Sequence, residues 1–190
     1  MADDTAPLPR IDETKRPRSP ELPGVGEHQR RLGKRLAVIH AAYLTQLSQV
    51  ELVLDAIQGG TAAPQALLER LRTLEMAENL RLFGNLCGRE CHVLGMHHTI
   101  EEQMMFPGLA SRTGNALSPV LEQLRAEHRV VHDLLGRLEF AADRLVRSPD
   151  EASMARCTRE FRALVAAVRS HFAYEETELE GALGLHPEVL

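Results

Sequence analysis

The sequence predicts an all-α protein, an up-down-up-down four-helix bundle, and three observations carry that expectation. Apolar residues recur at steps of three and four along separate stretches, the pattern of helices with one buried face. Short connections rich in Gly, Pro and Ser separate these stretches, which makes neighbouring helices antiparallel. The composition is 44% hydrophobic with no Trp and only 4% aromatics, so the core is built from Leu, Ala and Val. At 190 residues the chain is long enough for one domain with a substantial core and too short for two comfortable ones.

Residues 1–24 stand apart from this pattern. Five of the ten prolines (Pro7, Pro9, Pro17, Pro20, Pro23) fall here among charges, with almost no periodic apolar residues. The segment is expected to be a disordered tail, its basic cluster Lys15-Arg16-Pro17-Arg18 solvated, and residues 25–185 the bundle.

The first helix begins near Gly26. Leu32, Leu36, Ile39, Tyr43, Leu47, Val50, Leu54 and Ile57 form its stripe, and Gly59-Gly60 ends it. Pro64 is placed to start the second helical region, residues 65 to 106, which Pro107-Gly108 is expected to break. That is long for one helix, and Gly84, Gly88 and Gly95 mark an irregularity in its second half. Residues 110–117 read as a polar loop, followed by Ser118-Pro119 as N-cap and first helical position. The third helix carries Leu121, Leu124, His128, Val131, Leu135, Leu138, Ala142 and Leu145 in phase, and Ser148-Pro149-Asp150 closes it. The fourth carries Met154, Cys157, Phe161, Leu164, Val168, His171 and Glu175, with Glu176 one step off the stripe.

Polar residues therefore occupy positions where leucines would be expected. His97-His98-Thr-Ile-Glu101-Glu102 is repeated as His171-Phe-Ala-Tyr-Glu175-Glu176, and His128 and His132 form a further i, i+4 pair between them. One such pair would be read as a solvated ion pair, but the repetition on apolar stripes argues otherwise. Antiparallel packing about a turn near residue 149 sets His171 level with about residue 127, the neighbourhood of His128, and His97, Glu101, His128, His132, His171 and Glu175 are expected to meet at one level. Burying two carboxylates among neutral imidazoles costs several kcal/mol per charge. A pair of metal ions answers that cost, since carboxylates can bridge two ions while histidines cap each; imidazole and carboxylate together suit iron, zinc or manganese. The adjacent pair His98 and Glu102 has the same spacing and leaves a second register open.

The phrases His-His-Thr-Ile-Glu-Glu-Gln-Met-Met-Phe-Pro and Glu-His-Arg-Val-Val-His, in the order His, His-x-x-x-Glu, His-x-x-x-His, His-x-x-x-Glu, resemble the hemerythrin-like (HHE cation-binding) proteins over roughly residues 30–183. The resemblance implies a non-haem centre of two iron ions, oxo- or hydroxo-bridged, with oxygen, nitric oxide or hydrogen peroxide as the reacting molecule. It implies His97, His128, His132 and His171 as terminal ligands and Glu101 and Glu175 as bridging carboxylates. The oxygen-carrying members place an aspartate where Glu176 stands, so Glu176 competes with Glu175. The phrase Leu36-Ala-Val-Ile-His40-Ala-Ala-Tyr43-Leu44 looks like the family's first ligand helix and favours His40, whereas counting back from a turn near residue 60 favours His28; His40 is taken as the ligand, because a kink at the glycines of the second helix would upset the count and His28 lies near a helix end. Tyr43, one turn from His40, faces either the pocket or the core. Met96, Met104, Phe106, Leu135 and Phe172 are expected to keep the pocket dry.

Other classes fit less well. The net charge of -5 with interspersed signs offers no basic face for nucleic acid. The N-terminus has no signal-peptide run, and no stretch approaches the roughly 20 apolar residues that cross a bilayer, so a soluble, cytoplasmic protein without membrane contact is expected. Cys87, Cys91 and Cys157, an odd set with no Cys-x-x-Cys spacing, read as buried thiols. A ferritin-type centre would use Glu-x-x-His, which occurs nowhere in the chain. A metal-free structural bundle would leave the buried charges unanswered. Two functions remain: a di-iron protein that carries its ligand or turns it over, with peroxidase- or catalase-like activity, and an iron- or oxygen-responsive interaction module.

Overall fold

The computed structural model describes residues 7–73 and 93–190, and among these all regular structure is helical, with no strand. In chain order it comprises α1 (Glu27–Gly33), α2 (Arg35–Gln58), α3 (Gln65–Thr73), α4 (Val93–Ile100), α5 (Phe106–Arg112), α6 (Ser118–Arg147) and α7 (Glu151–Leu185). A π-helical turn over Glu101–Met105 joins α4 to α5, and 3-10 turns lie at Glu13–Lys15 and Pro187–Val189. None of the described helices is long and apolar enough to cross a membrane.

Local chemistry sets most boundaries. α2 stops at Gly59, and the following Gly60 adopts φ 71°, a left-handed conformation that only glycine enters freely. Asp150 caps α7 by accepting from the Ser153 N–H at 2.7 Å, a bond that holds its carboxyl below the usual range. Pro119 occupies the first turn of α6, where its missing N–H costs nothing; the helix itself starts at Ser118, not after it.

The expected stop at Pro107-Gly108 does not occur. The π-turn bonds the Phe106 N–H to the Glu101 carbonyl, five residues back, and this wider turn brings Pro107 into the first turn of α5. There the ring has no intrahelical bond to break, and the helix runs on to Arg112. The kink expected at Gly84 and Gly88 lies outside the described residues, as do Cys87 and Cys91. Gly95 lies within α4.

Apolar side chains gather in two clusters. The first takes Tyr43 to Leu54 from α2, Val131 to Leu145 from α6 and Cys157 to Phe172 from α7, with Leu67 of α3. The second takes Leu36 from α2, Met105, Phe106 and Leu109, then Leu117 to Leu124, and Tyr174 to Leu183 from α7. α2 and α6 thus run from the second cluster to the first, and α7 returns. Each fully buried Leu in these clusters contributes about 1.5–3 kcal/mol through burial. Between the clusters, His40, His128, His171 and Glu175 occupy the polar interval on α2, α6 and α7. At its far end α7 meets α1 backbone to backbone: a Cβ at Gly33 would strike the Glu180 carbonyl, and one at Gly184 the Gln29 carbonyl.

Residues 8–22, expected to be disordered, lie along the bundle as a strap. Leu8 and Ile11 pack on the first cluster and Leu22 on the second. Arg16 forks onto Glu127, Arg18 and the Ser19 N–H reach Glu178, and the Tyr174 hydroxyl donates to the Pro17 carbonyl at 2.8 Å. Composition gives no sign of this docking, because the partners are buried carboxylates on distant helices.

Candidate metal centre

Buried imidazoles and carboxylates converge in the interval between the two apolar clusters. Among the described residues, His40, His97, Glu101 and Glu175 form one group and His98, His128 and His171 another, the potential ligand atoms within each lying no more than 4.8 Å apart. Nε2 of His40 is 3.1 Å from Nε2 of His97 and 3.4 Å from Oε2 of Glu175. The two carboxylates reach both groups. Glu101 lies 2.9 Å from His97 through Oε1 and 3.4 Å from His128 through Oε2, while Oε2 of Glu175 lies 3.4 Å from His40 and 3.8 Å from His171.

The outer nitrogens are held from behind. Nδ1 of His40 faces Glu176 at 2.8 Å, that of His128 faces Glu102 at 2.7 Å, and that of His171 faces Glu127 at 3.2 Å. Nδ1 of His98 lies 3.3 Å from Nε2 of His132. For His128 and His171, the carboxylate behind Nδ1 fixes the proton there and leaves the Nε2 lone pair pointing inward. Phe172 stacks flat on His40, centroids 3.7 Å apart, Tyr43 packs on His97 at 4.9 Å, and His98 stacks on His128 at 3.9 Å.

The inward atoms are orphans. Nε2 of His98, His128 and His171 and all four carboxylate oxygens of Glu101 and Glu175 are buried without a hydrogen-bond partner. Buried polar groups are ordinarily paired; here the approaches of His97 to Glu101 and of His40 to Glu175 are close but not aligned as hydrogen bonds, and seven atoms left without one around one interior volume fit a cationic occupant. Electrostatics point the same way. Burial, with the like charge of Glu175 next, pushes Glu101 well above the usual carboxylate range; for Glu175 burial is outweighed by the facing His40 and His171, which hold it down. Burial opposes a charge on His40, yet the facing Glu175 and Glu176 hold it up at about 9. His97 falls to about 3 through burial and the neighbouring His40, and burial likewise depresses His98 and His128. The proton held by His40 offsets carboxylate charge that a metal cation would offset instead.

Of the residues expected from sequence, the structure brings His40, His97, Glu101, His128, His171 and Glu175 into this cluster. His132 is not among them: its side chain is exposed, and its Nε2 lies 3.3 Å from Nδ1 of His98. His98, by spacing alone an alternative register to His97, enters alongside it. Adjacent helical residues diverge by about 100°, and here His97 turns towards α2, against His40 and Tyr43, while His98 turns towards His128 and His171. Glu102 and Glu176 stand behind histidines, outside the orphaned set. His28 is exposed on α1, whereas His40 continues the buried spacing Leu36, His40, Tyr43, Leu47, a signal available in the sequence. Phe106 and Phe172 are buried beside the cluster, Leu135 is half-buried, and Met104 is 68% exposed and cannot line a dry pocket.

A family model, the Hemerythrin HHE cation binding domain, matches residues 34–183. No curated protein and no solved structure matches the chain.

Proposed function

The chain belongs to the hemerythrin HHE cation-binding domain family, and from that premise we propose that it is a non-haem di-iron protein that binds or reacts with oxygen, nitric oxide or hydrogen peroxide. In this reading α2, the α4–α5 region, α6 and α7 are the four members of an up-down-up-down bundle. His98, His128 and His171 would hold one iron, His40 and His97 the other, and Glu101 and Glu175 would span both. The observation that carries the reading is the set of orphaned, inward-facing atoms contributed by His98, His128, His171, Glu101 and Glu175.

Iron bound there would supply an open coordination position and reversible one-electron chemistry. The protein's own residues favour the two-histidine side for the small molecule. That side has one imidazole fewer, and Phe172 and Tyr43 wall it with aromatic surface that excludes water and suits an apolar diatomic. The buried aliphatic clusters on either side limit metal loss. Three cysteines, an odd set with no Cys-x-x-Cys spacing, agree with a cytoplasmic protein.

Anaerobic loading with ferrous iron, followed by metal analysis and absorption spectroscopy, tests the centre. Two irons per chain are expected in the wild type and fewer in His128→Ala and His171→Ala; full retention in both variants defeats the assignment. Catalytic consumption of added hydrogen peroxide supports turnover. A stoichiometric spectral change alone supports carriage, or the second reading, an iron- or oxygen-responsive module.

A further inference from the structure

We propose that Arg16, on the N-terminal strap, is a positioning residue for the metal centre: it locks Glu127, and Glu127 in turn sets the orientation and tautomer of His171. The inference rests on the metal reading above and concerns how this chain tunes that site from outside it.

The geometry forms a continuous line from the surface to the interior. Arg16 donates from Nε to Oε1 of Glu127 at 2.8 Å and from Nη2 to Oε2 at 2.9 Å, the two-point fork that arginine alone offers a carboxylate. The same Nη2 meets Ser170 Oγ at 3.0 Å, one residue before His171, and the guanidinium lies 4.7 Å above the Tyr174 ring. Glu127 is 1% exposed, takes a further bond from Gln123 at 2.9 Å, and faces Nδ1 of His171 at 3.2 Å. With both oxygens engaged by cationic or amide donors, Glu127 accepts from the Nδ1–H and leaves Nε2 of His171 as the inward lone pair.

His171 differs in this from the other carboxylate-backed histidines. Glu176 and Glu102, behind His40 and His128, are part-exposed and belong to ligand-bearing turns of the helices. Glu127 is buried, and its fork comes from a segment outside the helices altogether. The strap crosses at the right height: Leu8 and Ile11 anchor it on one apolar cluster, Leu22 on the other, and Arg16 falls between them beside the polar layer. Arg18 fastens the same strap to Glu178, a carboxylate that contacts no histidine among the described residues, and so provides an internal control.

The experiment compares full-length Arg16→Gln, Arg16→Lys and Arg18→Gln with the wild type after ferrous loading, reading the iron absorption bands and the rate of iron loss to a soluble iron(II) chelator. Arg16→Gln should shift the bands and release iron up to about 10-fold faster, less than the roughly 10- to 100-fold usual for removing the group that itself bonds a ligand, because Arg16 acts through Glu127. Arg16→Lys, which keeps the charge but not the fork, should fall between, and Arg18→Gln should match the wild type in both readouts. Indifference of Arg16→Gln overturns the inference while leaving the metal reading intact, and so does an equal response from Arg16→Gln and Arg18→Gln. A wild-type chain that takes up no iron overturns both.

Discussion

Oε1 of Glu176 lies 2.8 Å from Nδ1 of His40, while Glu175, one residue earlier, turns both carboxylate oxygens into the buried cluster without a hydrogen-bond partner. The same division occurs where α4 passes into the π-turn. Glu101 faces inward, and Glu102 lies 2.7 Å from Nδ1 of His128. Each doubled glutamate therefore does two things. The first side chain enters the centre; the second, about 100° round the helix, backs a histidine from a neighbouring helix and fixes which nitrogen faces inward.

This division predicts unequal outcomes at adjacent positions. Glu175→Gln should lose most of its iron, because amide and imidazole cannot balance the ions' charge. Glu176→Gln should keep the stoichiometry but bind about 10- to 100-fold more weakly. Iron titration of both variants checks this, and equal losses would contradict the inner and outer assignment.

Histidines next to the cluster can be sorted in the same way. His98→Ala and His40→Ala should lower iron content and thermal stability together, whereas His132→Ala and His28→Ala, each altering an exposed ring, should retain two irons per chain. Metal analysis with thermal melting decides it: iron loss confined to His132→Ala would return His132 to the ligand set in place of His98.

The α1–α7 contact depends on two missing side chains. Gly184→Ala should lower the melting temperature, since its methyl meets the Gln29 backbone and neither helix can yield locally. Gly136→Ala, at a helical glycine with nothing within 4 Å of the added Cβ, should instead stabilise the protein by about 0.5–1 kcal/mol. Circular dichroism melts of the pair test the close approach; a neutral Gly184→Ala would refute it.

Burial of Cys157 pushes its thiol up to about 11 from an ordinary 9.0. The folded form holds the proton more tightly, so the thiol's contribution to stability is intact below pH 9 and is lost as the pH rises through about 11. Alkylation at Cys157, followed by peptide mass analysis, should be slow in the native protein at pH 8 and fast after unfolding. Rapid native labelling would show the site to be open.

Periodicity by itself is enough to assign several residues to the interior. His128, His171 and Glu175 sit on apolar stripes, and a helix that buries the leucines of such a stripe must bury what stands among them. The all-helical architecture follows from the same pattern. Pro107 misleads for a local reason: its effect depends on the turn preceding it, and a π-turn converts an expected breaker into a first-turn residue.

What the sequence alone determined, then, is the helical class, the family resemblance and the buried faces, because these follow from spacing of about 3.6 residues per turn within single helices. The tertiary structure decided that both His97 and His98 enter the cluster, and which glutamate of each pair stands inside. Residues one apart point in different directions, and only the arrangement of neighbouring helices gives those directions meaning. It likewise decided that Arg16 is held, since its carboxylate partner lies 111 residues away and is buried only once α6 and α7 have packed.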